Sequence, residues 1–195
     1  MNERSFIAEL MTNKQQQILI AAESIIAREG YQGLSMQKLA EEAGVAAGTI
    51  YRYYDNKEAL TAQLVERIFC QVALVILKDA EKGTVEQRFR RLWWNVVEFD
   101  ARTTTNQLSY EQALHLPGAN SGQHLELLLS TFQPMRQILV DGVEAGMFKD
   151  IRVEILVATS IEPAVGLARR RQQGMKFSNN ELSTAYDLCW HSILK

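Results

Sequence analysis

Apolar positions recur at helical spacing along most of the chain. Ile18, Ala22, Ile25 and Ile26 fall at i, i+4, i+7 and i+8 and predict a helix from about Asn13 to Glu29, ended by Gly30. Met36, Leu39, Ala40 and Ala43 fall at i, i+3, i+4 and i+7, and Gly44 breaks that face. Val45 supplies an apolar plug in the turn. A second short helix follows, with Ala47, Ile50, Tyr51 and Tyr54 on one side. Its other side carries Gly48, Thr49, Arg52 and Tyr53. A long stripe through Leu60, Leu64, Ile68, Val72 and Val75 predicts a helix to about Ala80, closed by Gly83, roughly 24 residues or about 36 Å long. Phe89, Leu92, Trp93, Val96, Val97 and Phe99 mark the next. A helix over about 123–145 contains Pro134, which predicts a kink near 130–134, and Gly146 ends it. The last two run from about Val153 to Gln172 and from about Glu181 to Ile193. No strand pattern, internal repeat or low-complexity segment interrupts the series. The expected fold is all-α with about nine helices: a three-helix unit over 1–56, then a larger helical domain over 57–195.

Polar residues mark the helix starts. Ser35 stands where an N-cap belongs. Asp55-x-x-Glu58, Thr84-x-x-Gln87, Ser109-x-x-Gln112 and Ser178-x-x-Glu181 have capping-box spacing. Thr103–Asn106 reads as a break and Pro117–Gly122 as a loop. Residues 1–12 form an arm whose Phe6, Ile7 and Leu10 either extend a helix or dock elsewhere.

Residues 35–57 have the length and punctuation of a helix-turn-helix. The face with Gly48, Thr49, Arg52 and Tyr53 is small, polar, cationic and aromatic, which suits a nucleic-acid groove better than a core. Charge qualifies this reading. The net charge is −2. Residues 1–60 carry Arg4, Lys14, Arg28, Lys38, Arg52 and Lys57 against Glu3, Glu9, Glu23, Glu29, Glu41, Glu42, Asp55 and Glu58. DNA binding therefore rests on a local positive footprint with the acids turned away, not on a basic domain. Ala47, Gly48, Thr49 and Arg52 are the candidates to reach base edges. Gly48 permits close approach, Thr49 offers a methyl or a hydroxyl, and Arg52 donates either bidentately to guanine or to phosphate alone.

The run Gly44-Val-Ala-Ala-Gly-Thr-Ile-Tyr51-Arg-Tyr-Tyr54-Asp-Asn-Lys57-Glu-Ala-Leu60 resembles the signature of TetR-type transcriptional regulators, and the likeness extends back through Gly30 and Tyr31 to Ile18. The resemblance implies a dimeric, ligand-responsive DNA-binding protein, usually a repressor, reading a palindromic operator. It implies phosphate contacts by Tyr51 and Lys57, with Tyr53 at a position often His or Tyr, and a phosphate contact by the hydroxyl of Ser35, compatible with its role as a cap. It places Tyr54 in the core. Ala46 and Ala47 depart from a common Ser/Lys-type turn, leaving specificity more dependent on Thr49 and Arg52. The resemblance also implies a pocket for a small organic effector in the segments holding Trp93, Trp94, Phe99, Tyr110, His115, Phe132 and Met135, residues that equally suit an ordinary core.

The last two helices are apolar over more than one face, which predicts a homodimer through a four-helix bundle. Arg169-Arg170-Arg171 at a helix end reads as a solvated, dipole-compensating cluster rather than a nucleic-acid patch. A hydrophobic share of 47% permits a full core. No stretch approaches 18 uncharged apolar residues and no signal peptide is apparent, so the expectation is a cytoplasmic protein with no membrane partner. Cys70 and Cys189 read as buried reduced thiols, a redox switch being the alternative. His115, His124 and His191 lack metal spacing, and no nucleophile elbow, phosphate loop or dinucleotide fingerprint occurs. Neither catalysis, a metal nor a cofactor is expected. Two other readings remain: a constitutive DNA-binding protein without inducer, and a helical protein-interaction module.

Overall fold

The computed structural model describes residues 13–99, 108, 110–117 and 122–195. The arm over 1–12, the break at 103–106, the Ser109 cap and residues 118–121 of the expected loop lie outside the described residues.

The described elements are α1 (Asn13–Gly33), α2 (Met36–Glu42), α3 (Ala47–Tyr53), α4 (Lys57–Ile76), α5 (Val85–Glu98), α6 (Tyr110–Leu114), α7 (Gly122–Thr131), α8 (Gln133–Glu144), α9 (Val153–Ser160), α10 (Glu162–Gln172) and α11 (Asn179–Ile193). The fold is all-α, and the sole β pairing among the described residues is an isolated bridge between Phe148 and Leu194.

Two compact units divide the chain. One comprises 1–72 with 102–128, the other 73–101 with 129–195. The division between these units falls inside α4 and α7, since most of α4 contributes core side chains to the first unit.

In the N-terminal unit the α1 stripe is fully used: Ile18, Ala22, Ile25 and Ile26 are buried, with Leu19 between them. Gly30 (φ 72, ψ 171) interrupts α1, and one further turn runs to Gly33. Leu39, Ile50, Leu60, Leu64 and Ile68 complete the core, each fully buried. The turn between α2 and α3 closes as a Schellman motif: Val45 N–H donates to Ala40 C=O at 3.0 Å and Gly44 N–H to Glu41 C=O at 3.2 Å. Gly44 has φ +65, which only a residue without Cβ adopts freely.

The cap of α4 is Asn56, whose Oδ1 accepts from Ala59 N–H at 2.8 Å, not Asp55. α4 also ends earlier than expected, at Ile76, and tight turns lead on to Gly83. By length and composition α4 is apolar enough to cross a bilayer, but Glu66 and Arg67 interrupt it and half of that stretch is buried within the protein.

In the C-terminal unit α5 packs against α8 and α10, and α9 against α8 and α11. Phe89 and Trp93 of α5 meet Phe148, Tyr186 and Trp190 in one aromatic core, with Phe148 edge-on to Trp190 at 5.4 Å and Trp93 edge-on to Tyr186 at 5.5 Å. Burial pushes the Tyr186 phenol up to about 12, opposed by Arg90, whose guanidinium lies 5.1 Å above its ring. Cys189 is buried here as a free thiol, raised by burial. Two expected helices are each divided. The first breaks at Phe132, with Pro134 in the first turn of α8. The second breaks at Ile161, with Pro163 in the first turn of α10, because a proline has no N–H for the preceding turn. The Arg169–Arg171 run closes α10, where Arg171 donates to Val97 C=O at 2.9 Å.

Candidate nucleic-acid interface

α3 turns one edge inward through Ile50, fully buried, and Tyr54, 3% exposed just beyond its end. The rest of the short helix is open. Ala47, Gly48, Tyr51 and Arg52 are exposed, and Thr49 and Tyr53 half-buried. Ala47 and Tyr51 therefore do not share the buried face with Ile50, as their spacing had indicated. A helix this short has one inward line of contact, and Ile50 and Tyr54 occupy it. A Cβ built at Gly48 meets nothing within 4 Å, so this glycine leaves open space and is not demanded by packing.

Arg52 is folded back on its neighbour, with Nη2 donating to the Tyr53 hydroxyl at 3.1 Å and Cζ 5.1 Å from the ring centroid. Lys57, the first residue of α4, sets its ammonium 3.7 Å from the centre of the Tyr31 ring. Tyr31 in turn donates to Glu58 at 3.4 Å. Burial first, then Glu58, raises its phenol above the usual range. Ser35 caps α2, its hydroxyl accepting from Lys38 N–H at 3.2 Å, and remains exposed. The residue at the N-cap of α3 is Ala46, whose side chain offers no capping hydrogen bond.

Two of the acids beside this surface, Glu29 and Glu42, are paired. Arg28 holds Glu42 through two nitrogens at 3.1 and 3.2 Å and also reaches Glu29 at 3.4 Å. Lys38 pairs with Glu29. The Glu42 carboxyl is held low by its bond from Arg28, and Glu29 by its bond from Lys38. Arg28 and Lys38 are thus spent on acids, and Arg52 and Lys57 carry the charge beside α3.

The expected effector residues are more dispersed. Trp93 is fully buried in the aromatic core and Phe132 is buried, while Trp94, Phe99 and Met135 are half-buried. His115 is exposed, and the side chain of Tyr110 lies outside the described residues. Tyr110 and His115 belong to the N-terminal unit and the other five to the C-terminal unit. Within the latter a cleft of about 440 Å³ is lined by Lys82, Gly83, Gln87, Arg90, Arg91 and Trp94. No group of three or more His, Cys, Asp and Glu able to hold a metal occurs among the described residues.

Spacing did not single out Glu23, which is 2% exposed in α1. Its signal is its place in the apolar stripe, between Leu19 and Ile26. One carboxylate oxygen accepts from Leu108 N–H at 3.0 Å, and the other lies 3.6 Å from Arg67 Nη1.

Residues 18–64 match the model of bacterial regulatory proteins of the tetR family, and residues 84–194 match the tetracyclin repressor-like C-terminal domain. The chain belongs to the TetR family of transcriptional regulators. A TetR-family regulator from Vibrio parahaemolyticus superposes with a TM-score of 0.80 at 34% identity, over 94% of this chain and all of that one. An HTH-type transcriptional regulator of Haemophilus influenzae is 32% identical over 80% of this chain and 82% of its own length. The fatty acid metabolism regulator protein of Bacillus subtilis is 29% identical over 70% of this chain and 72% of its own length. The TetR resemblance carried by residues 18–60 and the all-α expectation both stand, and the chain is a TetR-family DNA-binding transcriptional regulator.

Proposed function

We propose that this chain is a repressor that binds a palindromic operator as a homodimer and is released by a small organic effector. The observation that carries the reading is the surface of α3. A short helix is anchored inward by Ile50 and Tyr54 alone and leaves Ala47, Gly48, Tyr51 and Arg52 open, with Lys57 one turn further on. In this reading residues 1–56 read DNA and residues 57–195 bind the effector and dimerise. Arg52 leaves Tyr53 to donate to a guanine edge, Thr49 meets a base beside it, and Ser35, Tyr51, Tyr53 and Lys57 fix the phosphates. Two-fold symmetry sets the half-sites one helical turn apart, about 34–36 Å.

Repression is supported by a relative, the HTH-type transcriptional repressor AcnR of Corynebacterium glutamicum, 30% identical over 44% of this chain. An effector enclosed by aromatic and apolar side chains draws on those of the expected residues that share the C-terminal unit, Trp93, Trp94, Phe99, Phe132 and Met135. Dimerisation through α10 and α11 draws on apolar side chains left in solvent, Val165 at 42% and Leu188 at 70% exposure, with Ile155 of α9 at 41%. The protein acts in the cytoplasm, where its DNA is.

The test is fluorescence anisotropy on a duplex selected from a randomised library by the full-length protein. Arg52→Ala is expected to relax base preference at one position of each half-site. Lys57→Ala is expected to weaken all sequences alike and lessen the salt slope by about 1 per subunit. Unchanged binding in both variants overturns the DNA-reading surface. Equal affinity with and without every compound of an effector screen overturns the regulated reading.

A further inference from the structure

Cations of the N-terminal unit are held in two different ways. Arg28 is held by Glu42 and Lys38 by Glu29. A carboxylate fixes a side chain and also offsets its charge toward anything that approaches from solvent. Lys57 is held by a ring: its ammonium lies 3.7 Å from the centre of Tyr31. An aromatic face attracts a cation through its quadrupole and carries no net charge. The ammonium is steadied, and its whole charge remains for a ligand.

Both ends of this contact are built into the fold. Gly30, at φ +72, interrupts α1 and sets Tyr31 on the one further turn that leads to Gly33. Tyr31 is half-buried, and its hydroxyl donates to Glu58 at 3.4 Å. Lys57 opens α4, where the fully buried Thr61 donates to its C=O at 2.7 Å. Lys57 and Glu58 are adjacent, and adjacent helical residues do not face each other. Tyr31 meets both, with its ring on the cation and its hydroxyl on the acid. Glu58 thus has a partner other than Lys57. A lysine side chain also loses rotamer freedom when it is fixed on a ligand, and a contact that fixes it beforehand lowers that cost.

We infer that Tyr31 is a positioning residue for DNA binding: its ring holds the Lys57 ammonium in place, still charged, for a phosphate of the operator. This rests on the reading of Lys57 as a phosphate contact and adds a residue that acts through it. The sequence offered Tyr31 only as part of a turn, because its link to Lys57 spans two helices and no local spacing marks it.

The test is a double-mutant cycle on the full-length protein, read by anisotropy on the selected duplex and on an unrelated one, below the lowest Tm of the set. Tyr31→Leu is expected to weaken binding about two- to fivefold for each subunit bound, the worth of an exposed cation–π contact. The loss should be alike on both duplexes, since phosphate contacts carry no sequence information. Tyr31→Phe keeps the ring, and should keep the affinity although the bond to Glu58 is gone. In Lys57→Ala, adding Tyr31→Leu should change nothing further. A loss in Tyr31→Phe equal to that in Tyr31→Leu, unchanged or tighter binding in Tyr31→Leu, or a Tyr31→Leu loss undiminished in Lys57→Ala each overturn the inference. A second measurement needs no disruptive variant. The ring should shift the ε-methylene protons of Lys57 upfield in the NMR spectrum of the free protein and of Tyr31→Phe, and random-coil shifts overturn the contact itself. The two readings fail differently. If Lys57→Ala binds as the unsubstituted protein does, the phosphate role of Lys57 falls, and the inference with it. If Lys57→Ala weakens binding and the cycle is additive, that role stands and the positioning by Tyr31 falls.

Discussion

Two glycines show how differently one residue type is used. Gly48 faces open space, with helical backbone and no neighbour for an added methyl group. Gly48→Ala is therefore expected to stabilise the free protein by a few tenths to about 1 kcal/mol, because alanine loses less backbone freedom on folding. The same methyl stands where DNA would approach, so operator binding should weaken. Opposite movements in a thermal melt and a binding titration are the outcome that tests this, and a fall in both would mean that packing had demanded the glycine. Gly142 is the reverse case. A Cβ there lies 2.1 Å from Phe148 Cδ2, and Phe148 is fully buried, fixed edge-on between Phe89 at 6.3 Å and Trp190 at 5.4 Å. Gly142→Ala should cost about 1–3 kcal/mol through overpacking, read as a lower Tm with the helical signal intact before melting.

At the scale of elements, helix starts were more legible than helix ends. Thr84–Gln87 and Ser178–Glu181 form the reciprocal bonds their spacing indicates, because a capping box is local in sequence. At the head of α4, Asp55 and Asn56 are adjacent and both able to cap. The position of Ala59 relative to Asn56, not residue type, decides between them. At the far end of α4, Leu77 and Ala80 stay buried after the helix stops, so the apolar pattern outlasts the helix. Asp79, at φ 57, marks the actual turn. In the reading head, the exposed side of α3 was legible for Gly48 and Arg52, with Thr49 half-buried at its edge, whereas Ala47 and Tyr51 fell on the wrong side, since seven residues average poorly over a 3.6-residue period. The Glu23–Arg67–Leu108 contact joins residues distant in sequence, and no local pattern announces it.

The packing of α5 on α8 makes stability depend on pH. Arg88 bonds Asp141 at 2.5 Å, and Gln137 bonds its other oxygen at 2.8 Å. The bond from Gln137, then that from Arg88, holds the Asp141 carboxyl below its usual range. A depressed folded-state pKa stabilises the fold above the unfolded value, about 4, and that contribution fades as pH falls through the folded value. Arg88→Met should thus lower Tm at pH 7, by an amount corresponding to about 1 kcal/mol, and the gap to the unsubstituted protein should close as pH drops below about 4. A gap that does not narrow at all as pH falls below about 4 would assign the loss to the Arg88 stem and its bond to Ala80 C=O rather than to the pairing with Asp141.

For the whole molecule, the proposed dimer places the decisive test on Leu188. Leu188, at 70% exposure on α11, is the apolar side chain most open to a second chain, and in the proposed dimer Leu188→Glu would set two carboxylates against each other across a two-fold axis. Sedimentation should find a monomer at micromolar concentration with the helical content unchanged, and operator affinity should fall at least a hundredfold as the second half-site is lost. A dimer that survives the substitution would move the interface elsewhere.

The pairing of Arg28 with Glu42 and of Lys38 with Glu29 bears on how such a protein finds its site in a chromosome. Attachment to arbitrary DNA grows with the number of cations free to displace counterions. A head whose basic residues are half committed to its own acids holds random sequence weakly and leaves it soon. Few copies are then sequestered on the rest of the genome, and occupancy of the correct site is governed by how well that site is read rather than by how much DNA surrounds it.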